Sequence, residues 1–190
     1  MQDIRLIVMG GSWGGIQASL EILKDLPGNY SIPIILVLHR LRTSDSGIQH
    51  IFAKKIQLEA REIEEKEAAL PGKLYLAPAN YHVLLEQDLT FSLDSSELVN
   101  YSRPSIDVTF KAAAQVRGPQ TAGILLSGAS SDGSKGLLSI AQKGGIPIVQ
   151  HPEQAEVGTM PRAAIEIVPD CRIFTIESIK AFLNSLHESN

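Results

Sequence analysis

Ser12, His39 and Asp132 are the residues whose types could do covalent chemistry together. A serine hydroxyl is a poor nucleophile at neutral pH and needs a neighbouring base. An imidazole serves best as that base when a carboxylate fixes its tautomer. Ser12 stands in Gly10-Gly11-Ser12-Trp13-Gly14-Gly15, which fits the spacing G-x-S-x-G. Glycines on both sides of the serine permit a sharp strand-to-helix turn and keep the hydroxyl clear of side chains. A serine placed there also faces a helix N-terminus, whose partial positive charge favours a developing oxyanion. A phosphate-binding loop and a plain tight turn fit the same residues. Against the phosphate loop, Ser12 takes the middle glycine's place in G-x-G-x-x-G, and neither a ribose-binding acid nor a Walker lysine follows.

His39 follows the apolar run Ile34-Ile35-Leu36-Val37-Leu38, at the carboxyl end of a strand adjacent in sequence to the serine's strand. A structural histidine is the competing reading. His50, His82, His151 and His187 are weaker candidates, with His50 and His187 expected to be solvated on helices. His151, after a later strand, is held in reserve as the base. Asp132 lies in Ser127-Gly128-Ala129-Ser130-Ser131-Asp132-Gly133 and has two readings. It orients the imidazole, or it caps the helix that follows. Cys171, the single cysteine, excludes an internal disulfide. It is read as a small apolar residue rather than a catalytic thiol.

The elements that must position these residues can be read from periodicity. Residues 6–9, 34–38, 121–126 and 146–149 are short apolar runs, the pattern of strands buried on both faces. Helical spacing covers residues 16–26, with Pro27-Gly28 as its stop. A second helix is expected to be capped within Ser44-Asp45-Ser46 and to run to about residue 58. Others are expected over about 103–117, 132–142, from Met160-Pro161-Arg162, and over 176–186. Residues 73–78, 83–85 and 90–93 read as a hairpin or meander at the sheet edge. Strands alternating with helices predict an α/β fold: one doubly wound, mostly parallel sheet with helices on both faces and a short antiparallel hairpin region at the edge. In such sheets the functional crevice lies outside the carboxyl ends of the strands, where Ser12, His39 and Asp132 are all expected.

With 190 residues, the chain is expected to form one domain over residues 1–190. Hydrophobic residues make up 44% and charged residues 20%, an ordinary globular balance. A net charge of −4 argues against nucleic acid as the main ligand. No apolar run nears the roughly 20 residues that span a bilayer, so no membrane insertion is expected. The start of the chain lacks a signal peptide's pattern, and a cytoplasmic location is expected.

Taken in order, the motifs resemble the catalytic domain of the bacterial chemotaxis protein-glutamate methylesterases, the CheB family. The resemblance spans nearly the whole chain. It rests on Gly11-Ser12-Trp13-Gly14-Gly15, His39, Leu70-Pro71-Gly72-Lys73-Leu74-Tyr75-Leu76-Ala77-Pro78 and Arg103-Pro104-Ser105-Ile106-Asp107. It continues through Leu126-Ser127-Gly128, Asp132-Gly133 and Gly158-Thr159-Met160-Pro161-Arg162-Ala163-Ala164. It implies Ser12 as nucleophile, His39 as general base and Asp132 as its orienting partner. It further implies hydrolysis of glutamyl methyl esters on the cytoplasmic helices of methyl-accepting chemotaxis receptors, with release of methanol, and deamidation of receptor glutamines. No metal or organic cofactor is expected. Backbone N–H groups at Trp13 and Ala129 are the candidates for an oxyanion hole. The alternatives are an esterase of the same mechanism on another ester and a catalytically silent signalling domain.

Four places depart from the usual family pattern: Trp13, where a small residue or threonine is common; Ser102, where histidine is frequent; Arg40-Leu41 after the base; and Ala129-Ser130-Ser131 before the aspartate. Family members commonly carry a phosphoacceptor receiver domain, and the first strand here is already the serine's strand. A separate receiver domain on another chain, one removed from this sequence and none at all fit equally, and a phosphodonor is expected to leave the isolated chain's activity unchanged.

Overall fold

The apolar runs become the centre of one parallel sheet. In the computed structural model, which describes residues 2–39 and 47–188, the order is β1 (Leu6–Gly11), α1 (Gly15–Leu23), β2 (Ile34–Leu38), α2 (Gly47–Lys55), β3 (Glu59–Glu62), β4 (Lys73–Leu76), β5 (His82–Leu85) and β6 (Phe91–Asp94). Then follow α3 (Ile106–Arg117), a 3₁₀ turn (Gly118–Gln120), β7 (Thr121–Leu125), α4 (Ser134–Gln142), β8 (Ile146–Gln150), α5 (Thr159–Ile167), β9 (Arg172–Phe174) and α6 (Ile176–Glu188). Seven strands form a sheet in the order β3-β4-β2-β1-β7-β8-β9, and every pairing is parallel. The doubly wound class expected from the sequence is therefore what forms. The caps expected at Ser44-Asp45-Ser46 and the departure at Arg40-Leu41 lie outside the described residues.

Every residue of β1, β2, β7 and β8 is buried. Alternate side chains serve different cores: Ile7 and Met9 pack with Leu23, Phe52 and Leu183, whereas Leu6 and Val8 pack with Phe110, Leu137 and Ala164. Helices α1, α2 and α6 thus cover one face and α3, α4 and α5 the other. This is why the central strands read as unbroken apolar runs.

Two assignments differ from the sequence reading. Lys73–Leu76 is not part of a hairpin; it is β4, lying between β3 and β2 in the main sheet. Its parallel neighbour β3 was not expected at all. The sequence Glu-Ala-Arg-Glu has none of the pattern of a buried strand, because β3 is an edge strand. Charge on an edge is what discourages pairing with other chains. The antiparallel pair β5–β6 forms a separate two-stranded sheet, its apolar residues Val83, Leu85 and Phe91 packed into the core beneath α3.

The order places β1 between β2 and β7, so the chain leaves β1 toward one side and returns much later on the other. The register sets Gly11 beside Leu38 and Gly10 beside Leu125. The carboxyl ends of these three strands are level, which puts the segments following them into one crevice.

Candidate active site

Three backbone hydrogen bonds lock the crevice walls together. The His39 N–H donates to Gly11 O at 3.2 Å, Ser12 N–H to Ser127 O at 2.9 Å, and Leu126 N–H to Gly10 O at 2.8 Å. Gly128 sits against the serine: a Cβ there would lie 3.0 Å from Ser12 Cβ and 2.6 Å from Met160 Cε, so only glycine leaves the position open.

His39 and Asp132 meet across 93 residues of sequence, with Nε2 2.7 Å from Oδ2. An ionised carboxylate can only accept, so Nε2 carries the hydrogen and Nδ1 is left as the basic nitrogen. The two ring nitrogens exchange the roles they have in chymotrypsin-type triads. Ser12 and His39 line one open cavity of about 400 Å³ with Trp13, Gly14, Ile16, Gln17 and Glu156. Among the described residues the Ser12 hydroxyl makes no hydrogen bond. The Ser12–His39 contact that a triad requires is therefore not made in this structure, although both residues line the same cleft.

Asp132 is fully buried. Its two oxygens accept from His39 Nε2, Asn100 Nδ2 (3.1 Å), Ser105 Oγ (2.8 Å), Ile106 N (2.7 Å) and Asp107 N (3.2 Å). Two of these are the first amides of α3, so the carboxylate occupies a helix N-terminus, where negative charge is favoured. Burial pushes its pKa up, but the contacts from His39, Ile106, Asn100 and Ser105 outweigh burial and hold it below the usual carboxylate range. The capping reading was aimed at the wrong helix. The N-cap of α4 is Gly133, with no side-chain cap bond, whereas Asp132 serves α3.

Behind this carboxylate lies a second, Asp107. It accepts from Gly136 N (2.7 Å) and Asn100 Nδ2 (3.0 Å), so one amide bridges both acids. Burial pushes the Asp107 pKa up; the Gly136 N–H opposes this and the Asp132 charge adds to it. Buried His82 completes the support. Its Nδ1 accepts the Ser105 N–H at 3.1 Å, and its Nε2 lies 3.0 Å from Glu97 O, which it can only donate to. His82 is thus a neutral brace that fixes Ser105, which in turn holds Asp132.

The remaining candidates fall elsewhere. His50 is exposed on α2. His151 accepts from Glu153 N in its own loop and does not line the cleft. His187 is not simply solvated: it stacks on Tyr30 at 5.3 Å and accepts from Ser31 N. Cys171 is half-buried, and burial pushes its thiol pKa up, away from thiolate character. At the proposed oxyanion hole, Gly128 N–H is taken by Val157 O at 3.0 Å, while the N–H groups of Trp13 and Ala129 donate to no other group among the described residues. Among those residues no cluster of three or more His, Cys, Asp and Glu side chains could hold a metal ion.

Comparison with known proteins bears on this arrangement. Residues 7–183 match the family model described as CheB methylesterase. The chain belongs to the CheB methylesterase family. A Leptospira interrogans protein, provisionally named a protein-glutamate methylesterase/protein-glutamine glutaminase, is 43% identical over 184 residues, covering 97% of this chain and 95% of that one. A Methanospirillum hungatei protein-glutamate methylesterase/protein-glutamine glutaminase is 37% identical, covering 98% of this chain and 53% of its own length. The crystal structure of the Thermotoga maritima CheB methylesterase catalytic domain superposes with a TM-score of 0.89 at 28% identity, covering 98% of this chain and 99% of that one.

Two departures from the CheB pattern take shape in the structure. Ser102 closes a tight turn with Val99, and the central residues Asn100 and Tyr101 have φ of 49° and 61°. Positive φ at both centres is the mark of a type I′ turn, and it aims the Asn100 amide inward at the two acids. Trp13 is 68% exposed and its indole N–H donates to Glu156 Oε1 at 2.7 Å. Asn100 and Glu156 carry no sequence signal that marks them for the site, and His82, one of the weaker histidine candidates, enters it as a support rather than as the base. Ser105 does, within Arg103-Pro104-Ser105-Ile106-Asp107.

Proposed function

We propose that this CheB-family chain is a serine hydrolase that removes methyl esters from glutamate side chains of chemotaxis receptors and deamidates receptor glutamines. The observation that carries the reading is the 2.7 Å contact between His39 Nε2 and a carboxylate held by four further donors, with Ser12 on the same cleft. Relatives that match nearly all of this chain are named for protein-glutamate methylesterase and protein-glutamine glutaminase activity.

In this mechanism Ser12 Oγ attacks the ester carbonyl while His39 Nδ1 takes its proton. The Trp13 and Ala129 N–H groups stabilise the oxyanion at the N-terminal end of α1. Collapse expels methoxide, which leaves as methanol with the proton from His39, and the glutamyl acyl-enzyme remains. Water then attacks, His39 takes its proton and returns it to Ser12, and the free glutamate carboxylate departs. With a glutamine substrate the leaving group is ammonia. The chain asks for no cofactor in these steps.

The test is methanol release from membranes bearing methylated receptor of the same organism, with wild-type protein and Ser12→Ala in parallel. Release by the wild type alone is expected. Failure of the wild type to release methanol, with the protein folded, would remove the receptor ester as substrate.

A further inference from the structure

Glu156 has no role in the triad, yet it faces the same cavity. It stands just before α5 and reaches across 143 residues of sequence to accept the indole N–H of Trp13. Its side chain lies flat over Gly14: a Cβ on Gly14 would stand 2.7 Å from Glu156 Cβ and 2.9 Å from Oε2, and Gly14 has φ of 77°. Any other residue at 14 would therefore be strained and would displace the carboxylate. One wall of the cleft is thus an indole, pinned at its nitrogen, beside an acidic group.

That carboxylate has no cation within ion-pair distance among the described residues, although the molecule pairs many of its other surface acids, such as Glu153 with Arg162 and Asp25 with Lys180. The indole beside it keeps 68% of its surface in solvent. An aromatic face attracts cations, and an adjoining carboxylate adds a charge of the right sign. The same pair repels anions.

We infer that Trp13 and Glu156 form a specificity subsite that reads the residues flanking the reacting side chain, accepting lysine or arginine and disfavouring glutamate or aspartate. This deepens the hydrolase reading, on which it rests, by naming the class of sequence the cleft takes. The polypeptide next to the ester passes the Trp13–Glu156 wall as the carbonyl reaches Ser12. A cationic neighbour there gains both the ring face and the charge, whereas an anionic neighbour meets an unpaired acid.

The experiment uses short acetylated peptides with one glutamate γ-methyl ester flanked on both sides by lysine, glutamine or glutamate. Methanol release gives kcat/KM for wild type, Glu156→Gln and Glu156→Lys. Glutamine keeps an acceptor for the indole N–H and removes only the charge. The wild type is expected to prefer the lysine peptide over the glutamate peptide by about five- to tenfold at low salt, the size of one partly exposed cation–π contact plus one ion pair. Added salt should shrink the ratio. The ratio should fall to about two- to threefold in Glu156→Gln, the share of the ring face alone, and fall further in Glu156→Lys.

Because Trp13 is the only tryptophan, its fluorescence reports binding at the subsite without turnover. In Ser12→Ala the lysine peptide should perturb the emission at several-fold lower concentration than the glutamate peptide. Hydrolysis of all three peptides at equal rates, or a preference that Glu156→Gln leaves intact, overturns the subsite and spares the hydrolase. Absence of hydrolysis with a retained fluorescence preference overturns the hydrolase and spares the subsite.

Discussion

The two halves of the site are built differently. Around Asp132 nothing is left open: the side chain is fully buried, five donors saturate its oxygens, and the residues supplying them are themselves held by Asp107 and His82. Around Ser12 the hydroxyl has no partner among the described residues, the neighbouring N–H groups at 13 and 129 are free to donate, and the indole is exposed. A saturated polar network is rigid because every departure leaves a buried group unpaired. An unsatisfied surface is ready to spend its hydrogen bonds on a substrate. On the proposed mechanism the protein fixes the electrostatic half in advance and leaves the reacting half to be completed by the ligand.

The largest effects are expected on the open half. Ser12→Ala and His39→Ala should each lower kcat by about 10⁴-fold or more; thermal unfolding should stay near the parent's in Ser12→Ala, whereas His39→Ala takes one donor from buried Asp132 and should cost about 1–2 kcal/mol. Equal loss of activity and of folding in either variant would break the distinction between the halves.

Asp132→Asn should separate them in a second way. Asparagine caps a helix well when its oxygen alone is needed, but here both oxygens accept, so the new NH₂ must face a donor. A kcat loss on the order of 10²–10⁴ is expected. It should be accompanied by about 1–3 kcal/mol of lost stability, or roughly 3–10 °C in Tm for a chain of this size. Near-normal kcat in a folded variant would reduce the site to a Ser–His dyad. The pH dependence has a definite sign. Because the folded pKa of Asp132 is depressed, its contribution to stability is fully present above the unfolded value of about 3.9 and is lost as pH falls through the lower folded value. Asp132→Asn should therefore unfold with a shallower dependence on acid below about pH 4.

Ser105→Ala tests the support at one remove. Loss of a buried hydroxyl bonded to a carboxylate should cost about 1–2 kcal/mol, with kcat reduced less than tenfold because four donors remain. Trp13→Thr should leave stability within about 0.5 kcal/mol and move KM or peptide preference instead. The smallest effect is at Tyr101, which is 98% exposed at positive φ. Tyr101→Gly removes strain without removing packing and should stabilise by up to about 1 kcal/mol, read in thermal unfolding with kcat unchanged.

The open half was the legible half. Ser12 and His39 announce themselves because each follows a strand that must be apolar on both faces, and the parallel topology then brings strand ends together. Asp132 could be seen as a candidate, but its helix could not. The residues from 127 to 133 point locally to α4, whereas α3 comes from a segment some 25 residues earlier. Asn100 and His82 lie in turns and a hairpin whose docking under α3 is purely tertiary. Strand β3 escaped because an edge strand need not be apolar, and β4 was grouped with the hairpin because sequence adjacency outweighs pairing when only the sequence is read. Glu156 looks like any surface acid until Gly14 and Trp13 are brought against it.

The central claim is that Ser12 is an activated nucleophile rather than a serine in a turn. The direct measurement is reaction with a fluorophosphonate, followed by mass mapping of the adduct in wild type and His39→Ala. The account predicts one adduct per chain, on Ser12, forming at least about 100-fold more slowly without the imidazole. An unlabelled wild type, an adduct on another residue, or equal labelling of the two proteins would contradict it.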